Sequence, residues 1–293
     1  MQQWQPKLVL IEGLPGFGKS TTAQLVHELL TEMGIGNQLF LEGNLDHPAD
    51  YEGVACLTQA EYDDLWRTCG GNPGEVLSAY TTRHDDNYLI EYRKLMNEHG
   101  SYLPEEWTDA LASKDIYELP LAQHRLLITA KWREFAEKAL PGTDTYVFDC
   151  SFIQNPVTMG MIKHDAAEEY MISYILELEA IIKPLNPLLM MVEQDDLEYA
   201  FRKAVQERPR EWSEGFIQYY TTQGYGLTRG LQGSDGTVQV LKGRSQLEAK
   251  IYNLLSMHKT RLNNSSYELE AYKQVLAEKL KAYFQENISQ PPS

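Results

Sequence analysis

Cysteine is scarce in this chain, with only Cys56, Cys69 and Cys150 among 293 residues. They show neither metal-ligand spacing nor an even-numbered framework, which argues against a disulfide scaffold and fits a reducing compartment. The seven histidines form no H-E-x-x-H pair or ligand cluster, so no zinc site is expected. Basic side chains are outnumbered 26 to 42, a net charge of −16. Bulk attraction to a nucleic acid polymer or an anionic membrane is therefore excluded, and any bound anion must be held locally. The longest apolar runs, such as PLLMMV at 187–192, are far too short to cross a bilayer. The opening MQQWQPK leads straight into an apolar strand rather than a secretory segment, so the expected location is cytoplasmic. Internal repeats, low-complexity blocks and the guanine-reading N-K-x-D are also missing.

What is present reads as a folded protein. Hydrophobic residues make up 43% and charged residues 23%, and the length suits one large α/β domain, 1–293, carrying an insertion. The informative stretch is LVLIEGLPGFGKSTTAQLVHELL, where residues 13–20 spell G-x-x-x-x-G-K-S between an apolar strand and an amphipathic helix. Gly13, Gly16 and Gly18 allow the backbone to bend so that the N–H groups of Leu14, Phe17 and their neighbours converge on an anion at the helix N-terminus. Pro15 stiffens the turn. Lys19 then reaches the β and γ phosphates of a nucleoside triphosphate, Ser20 ligates Mg²⁺, and Thr21 binds the same nucleotide. The bland alternative is a structural glycine turn with a solvated lysine. Without N-K-x-D, ATP is the expected donor.

Periodicity predicts strands at 8–11, 38–41, 146–148, 187–192 and 237–242. It predicts helices from Lys19 to a Gly34 cap, over 121–139, through YMISYILELEAII, through LEYAFRKAVQE, and over 246–257 and 267–284. Between 51 and 140 the pattern reads as a helical insertion, with turns at GGNPGE and HGSYLPEE. Strands alternating with helices imply a three-layer, doubly wound parallel sheet of about five strands.

This layout resembles the nucleoside and nucleotide kinase branch of the P-loop NTPase fold, the thymidylate kinases and deoxynucleoside kinases. GLPGFGKST follows the first strand, an acidic segment follows the second, an acid ends the third, and an Arg-bearing helix follows the fourth. The resemblance implies that Asp149 lies near Mg²⁺ and the acceptor, and that Glu42 is nearest to the general base. Asp46, His47 and Asp50 stand in the same segment, and spacing alone does not choose among these residues. It further implies that Arg125 touches the acceptor. Arg202, Arg208 and Arg210 would belong to a lid over 200–230 that closes on the nucleotide and neutralises charge on the transferred group. Surface ion pairs and a solvated helix end are the plain alternatives for these arginines. Arg83, in TTRHDDNY, either faces the acceptor from the insertion or belongs to a charged helix start. Family members follow the third-strand acid with Arg, whereas this chain has Cys150 and Ser151, which removes the expected clamp on an acceptor phosphate.

The expected activity is an ATP- and Mg²⁺-dependent phosphotransferase. Its acceptor would be a nucleoside, nucleotide or other hydroxyl metabolite, held in a pocket formed by 51–140. The competing reading is a nucleotide-hydrolysing regulator that switches a partner-binding helical surface. A nucleoside triphosphate and a small molecule are the expected partners, with homodimerisation left open.

Overall fold

The computed structural model describes residues 6–68, 72–100 and 105–289. Cys69, Gly70, Gly71, part of the HGSYLPEE turn and residues 290–293 lie outside them. In chain order the elements are β1 (Leu8–Glu12), α1 (Lys19–Glu32), β2 (Asn37–Phe40), β3 (Ala55–Thr58), α2 (Gln59–Thr68), α3 (Asn72–Ala79), β4 (Thr81–His84), β5 (Asn87–Ile90), α4 (Tyr92–His99), α5 (Glu105–Ala112) and α6 (Leu121–Ala139). There follow β6 (Thr145–Asp149), α7 (Gln154–Val157) with a π-helical turn over Thr158–Lys163, α8 (Glu168–Ile182), β7 (Pro187–Glu193), α9 (Leu197–Glu207), α10 (Arg210–Thr221), α11 (Gly224–Thr228), α12 (Gly233–Leu254), β8 (His258–Asn263) and α13 (Leu269–Ser289). The chain divides into two compact units, one of the residues up to Glu42 together with those from Trp132 onward, the other Gly43–Lys131.

The larger unit holds a parallel sheet of five strands among the described residues, in the order β2-β6-β1-β7-β8. Side chains alternate across a strand, yet every residue of β1 is buried. Both faces of the sheet are therefore covered, as a three-layer α/β arrangement requires. Leu10 pairs with Phe148 on one side and Leu189 on the other. Under β6 the core is aromatic: Trp132, fully buried, packs against Phe148 at 5.8 Å and Phe152 at 5.9 Å between ring centroids. Parallel strands present their carboxyl ends together, and here those of β1, β6 and β7 are Glu12, Asp149 and Glu193.

Two expectations are corrected. Residues 237–242, TVQVLK, are not a strand but lie inside α12. Over six residues apolar alternation and a helical stripe look alike. Along the whole helix the buried set Val238, Leu241, Arg244, Glu248, Ile251 and Tyr252 keeps helical spacing. The fifth strand is instead β8, HKTRLN, whose residues other than Leu262 are exposed or half-buried. An edge strand held by backbone pairing to β7 needs no apolar pattern.

The second correction concerns 51–140, which is not helical throughout. The Gly43–Lys131 unit contains an antiparallel sheet in the order β3-β5-β4. TTRHDDNYLI is a hairpin whose two-residue turn places Asp85 at φ 53, a left-handed conformation that Asp tolerates. This unit has its own apolar cluster, with Leu57, Leu77, Ile90, Leu95, Trp107 and Leu111 at its centre.

Candidate functional site

The turn from Gly13 to Gly18 needs glycine for two separate reasons. Gly13 has φ 149, and a Cβ there would stand 2.5 Å from the Val192 carbonyl oxygen of β7. Gly18, at φ 93, ends the turn where a Cβ would meet the Asn264 side-chain nitrogen at 2.5 Å. That nitrogen donates to the Phe17 carbonyl at 3.0 Å, tying the turn to the end of β8. Gly13→Ala is therefore expected to destabilise the protein by about 2–3 kcal/mol, from backbone strain plus a contact the strand backbone cannot yield. Urea unfolding of the variant against the parent checks this.

Helix α1 starts at Lys19 with no side-chain cap and no acid in its first turn, so its leading N–H groups have no side-chain acceptor. Lys19 is buried, and its Nζ lies back along the turn, donating to the Leu14 carbonyl at 3.2 Å. The Ser20 hydroxyl donates to Asp149 Oδ2 at 2.7 Å, which brings together the two residues expected at the metal. Burial raises the Asp149 carboxyl above its usual range, while the Lys19 charge and the Ser20 hydrogen bond hold it down. Its Oδ1 is buried without a hydrogen bond of standard geometry, although the Glu42 amide is near enough to favour the charged form.

Cys150 directly follows the strand-ending Asp149, where an arginine clamp on an acceptor phosphate was expected and is missing. It is fully buried at φ 60, its amide donating to the Ile11 carbonyl at 2.9 Å. Its thiol lies within the field of the Glu42, Asp149 and Lys19 charges and does not line the cavity beside the turn. Burial pushes the Cys150 thiol well up, which leaves it without a reactive thiolate.

Beside the turn lies a cavity of about 380 Å³, within the range of small-molecule sites. Pro15, Gly16, Gly18, Lys19, Ser20 and Thr21 form one wall, Glu42, Gln154, Asn155 and Thr158 another, and Arg208, Trp212, Phe216 and Tyr220 a third. The aromatic wall is a ladder along α10. Trp212 and Phe216 stack at 5.1 Å and Phe216 and Tyr220 at 4.1 Å, while the Arg208 guanidinium sits 4.2 Å above the Trp212 ring. A second cavity, about 270 Å³, lies across the turn between Gly16, Gly18 and Thr21 on one side and Ala200, Arg208, Asn264 and Tyr267 on the other.

No protein-family model matches this chain, and no curated protein matches it. The site therefore stands on its own geometry.

Of the residues singled out in the sequence, Pro15, Gly16, Gly18, Lys19, Ser20, Thr21, Glu42 and Arg208 line the larger cavity, and Asp149 joins them through Ser20. Gly13, Leu14 and Phe17 shape the turn from behind: the Leu14 carbonyl holds Lys19 and the Phe17 carbonyl is held by Asn264. Arg202 and Arg210 are not brought to the cavity. Arg202 pairs with Glu198 at 2.8 Å and Asp235 at 2.7 Å, and Arg210 with Glu214 at 2.6 Å. Among the acids after β2, Asp46 pairs with Lys94 at 2.7 Å and Asp50 accepts from Tyr117 at 2.7 Å, which leaves Glu42 at the cavity. Arg83 and Arg125 belong to the Gly43–Lys131 unit, Arg83 on β4 with its Nε donating to the Asp85 carbonyl, and Arg125 on α6. Among the described residues no helix is long and apolar enough to cross a membrane.

Sequence reasoning missed Glu12, which is 1% exposed. Its Oε1 accepts from the amides of Phe152 at 2.7 Å and Ile153 at 3.0 Å, and its Oε2 from that of Gln154 at 2.9 Å. An acid at the end of an otherwise apolar strand was the available signal. It caps α7 and so fixes the start of the segment that carries Gln154 and Thr158 into the cavity. Burial pushes its carboxyl from 4.5 up to about 7, against the pull of those three amides.

The folded chain thus holds this proton more tightly than the unfolded chain. The stability Glu12 contributes is complete below about pH 4.5 and is lost as pH rises through about 7. His47, in the other unit, works in the opposite sense. Burial lowers its ring from 6.5 to about 4, so its contribution is complete above 6.5 and is lost as pH falls through about 4. Each is about 3 kcal/mol at its limit. Glu12→Gln is expected to leave stability rising with pH across the shared window. His47→Asn, which keeps an acceptor for the Ala49 amide, should leave it falling. Urea unfolding at half-unit intervals of pH separates the two slopes.

Proposed function

We propose that this chain is a P-loop phosphotransferase: Gly13–Thr21 bind the phosphates of ATP, and the γ-phosphoryl group passes to a hydroxyl of a small molecule in the adjoining cavity. The observation carrying this reading is the convergence of an uncapped helix start, a buried ammonium and a Ser–carboxylate pair on one ligand-sized space. The second cavity, flanked by Arg208 and Tyr267, suits the nucleoside part of the donor. A cytoplasmic location belongs to the same reading.

Mg²⁺ fits the residues present. Among the described residues no three His, Cys, Asp or Glu side chains are grouped for a metal, but Mg²⁺ is usually held by one or two protein oxygens together with water and phosphate. Ser20 and Asp149 would supply those oxygens. The ion would neutralise charge on the β and γ phosphates.

In this reading Lys19 exchanges the Leu14 carbonyl for phosphate oxygens, and Glu42 orients the acceptor hydroxyl. The acceptor oxygen forms a new bond to the γ phosphorus as the bond to the β–γ bridging oxygen breaks. ADP departs with that electron pair and the acceptor proton passes to Glu42. Arg208 closes over the developing charge from the end of α9, beside the α10 aromatics. Titration calorimetry with Mg-ATP and Mg-GTP, followed by ADP release over a panel of hydroxyl compounds, tests the proposal. Saturable binding of Mg-ATP with acceptor-stimulated ADP release is expected. A site that takes up neither nucleotide would end it, and nucleotide-dependent partner binding without any acceptor would favour a regulatory switch.

A further inference from the structure

The end of α9 is held against the phosphate turn. A Cβ on Gly16 would stand 3.1 Å from the Ala204 Cβ and 3.2 Å from the Ala200 carbonyl oxygen, so the helix packs directly on the turn. Arg208, one helical turn beyond Ala204, closes α9, and its amide donates to the Ala204 carbonyl at 3.2 Å. Proline disfavours a helical residue before it, and Arg208, followed by Pro209, is extended at φ −99 and ψ 160. Its exposed side chain lines both the larger and the second cavity.

The three arginines of this stretch differ in what stands four residues away. Arg202 has Glu198 and Arg210 has Glu214, and each is paired with that acid. Arg208 has Trp212, whose ring lies 4.2 Å from the guanidinium carbon, and no carboxylate pairs with it among the described residues. An acid would hold the arginine by offsetting its charge, whereas an aromatic face holds it and leaves the charge whole. The indole is itself fixed. Trp212, Phe216 and Tyr220 follow at four-residue spacing along one face of α10, each stacked on the next. Phe216 also meets the buried Phe201 of α9 at 5.7 Å. Tyr220 is buried, and its hydroxyl is held by Thr158 and, at 2.7 Å, by the fully buried Arg244 of α12. The ladder thus runs from an anchored end in the core to a guanidinium at the two cavities.

We propose that Trp212 is a positioning residue, which holds the uncancelled charge of Arg208 beside the phosphate turn and acts on the γ-phosphoryl group only through that guanidinium. The inference rests on the phosphotransfer reading and names what aims the arginine in it. A guanidinium already held in place loses less side-chain freedom when phosphate arrives, so the indole contributes to affinity without touching the nucleotide.

Titration calorimetry of the full chain with Mg-ATP and Mg-ADP, which differ by the γ phosphate, tests the proposal. Arg208→Ala is expected to raise the Mg-ATP Kd about tenfold and the Mg-ADP Kd less than about twofold. Trp212→Leu keeps an apolar side chain but no π face, and should raise the Mg-ATP Kd about fivefold with the same indifference to Mg-ADP. Trp212→Phe keeps a ring under the guanidinium and should recover most of that loss. Trp212 is half-buried, so both substitutions leave the anchored part of the ladder in place. In the Arg208→Ala background, Trp212→Leu should add less than about twofold, since the group it acts through is gone. Losses that multiply to about fiftyfold in the double variant would show that Trp212 acts independently of Arg208. That outcome would overturn the inference while leaving nucleotide binding standing. So would equal losses for the two nucleotides, an unchanged Mg-ATP Kd in either single variant, or Trp212→Phe no better than Trp212→Leu. A parent chain that binds neither nucleotide would instead remove the phosphotransfer reading, and this inference with it.

Discussion

If the proposed phosphotransfer reading holds, Lys19→Ala is expected to lower that activity by about 10²–10³-fold while the protein remains folded. The side chain is buried, and its hydrogen bond is to the Leu14 carbonyl, a contact within its own turn. Lys19 forms no direct ion pair among the described residues, so the stability change should be limited to the weaker compensation of the buried Asp149 charge. Two losses act on catalysis together. In that reading the transferred group loses the positive charge of a buried ammonium. Asp149 loses the neighbour that opposes the effect of its burial, so its carboxyl moves further up and spends more time protonated. Single-turnover ADP release, with circular dichroism as the control for folding, reads both effects. A decrease of less than threefold would count against Lys19 as the phosphate ligand.

The largest effect on stability is expected at Arg244. Arg244→Met keeps the length and apolar stem of the side chain but strips the charge from a group with no exposure to water. Glu248, 5% exposed, then keeps a buried carboxylate without its ion pair. Thr158, Tyr220 and the Gln154 carbonyl lose their donor as well. Breaking one half of a buried pair in this way destabilises by about 3–5 kcal/mol. Replacing both partners, Arg244→Met with Glu248→Leu, removes the uncompensated charge and should recover more than half of that loss. Urea unfolding of the two variants measures the difference. A single-variant loss below about 1 kcal/mol would show that the ion pair is replaceable by water, contrary to its burial.

Much of the larger unit could be read along the chain because its signals are local. Leu8, Val9, Leu10 and Ile11 form a buried parallel strand that must be apolar throughout, and the glycines after it are required by backbone angles that other residues resist. Elements built on one strong local pattern, such as β7 and α6, fell where periodicity put them. β8 did not, because an edge strand is stabilised by backbone pairing to β7 that leaves no mark on its side chains. TVQVLK misled because six residues do not distinguish a period of two from one of 3.6.

The site divides in the same way. By itself the sequence determined the turn, with Lys19, Ser20 and the strand-ending Asp149, since each follows from neighbours a few residues away. Only the tertiary structure decided that Glu42 rather than Asp46 or Asp50 faces the cavity, that Arg208 is there while Arg202 and Arg210 are tied to acids, and that Glu12 and Arg244 hold the wall opposite. The physical reason is distance along the chain. Arg244 meets Gln154 and Tyr220 across 90 and 24 residues, and a hydrogen bond between such partners depends on how helices pack, which no local period encodes.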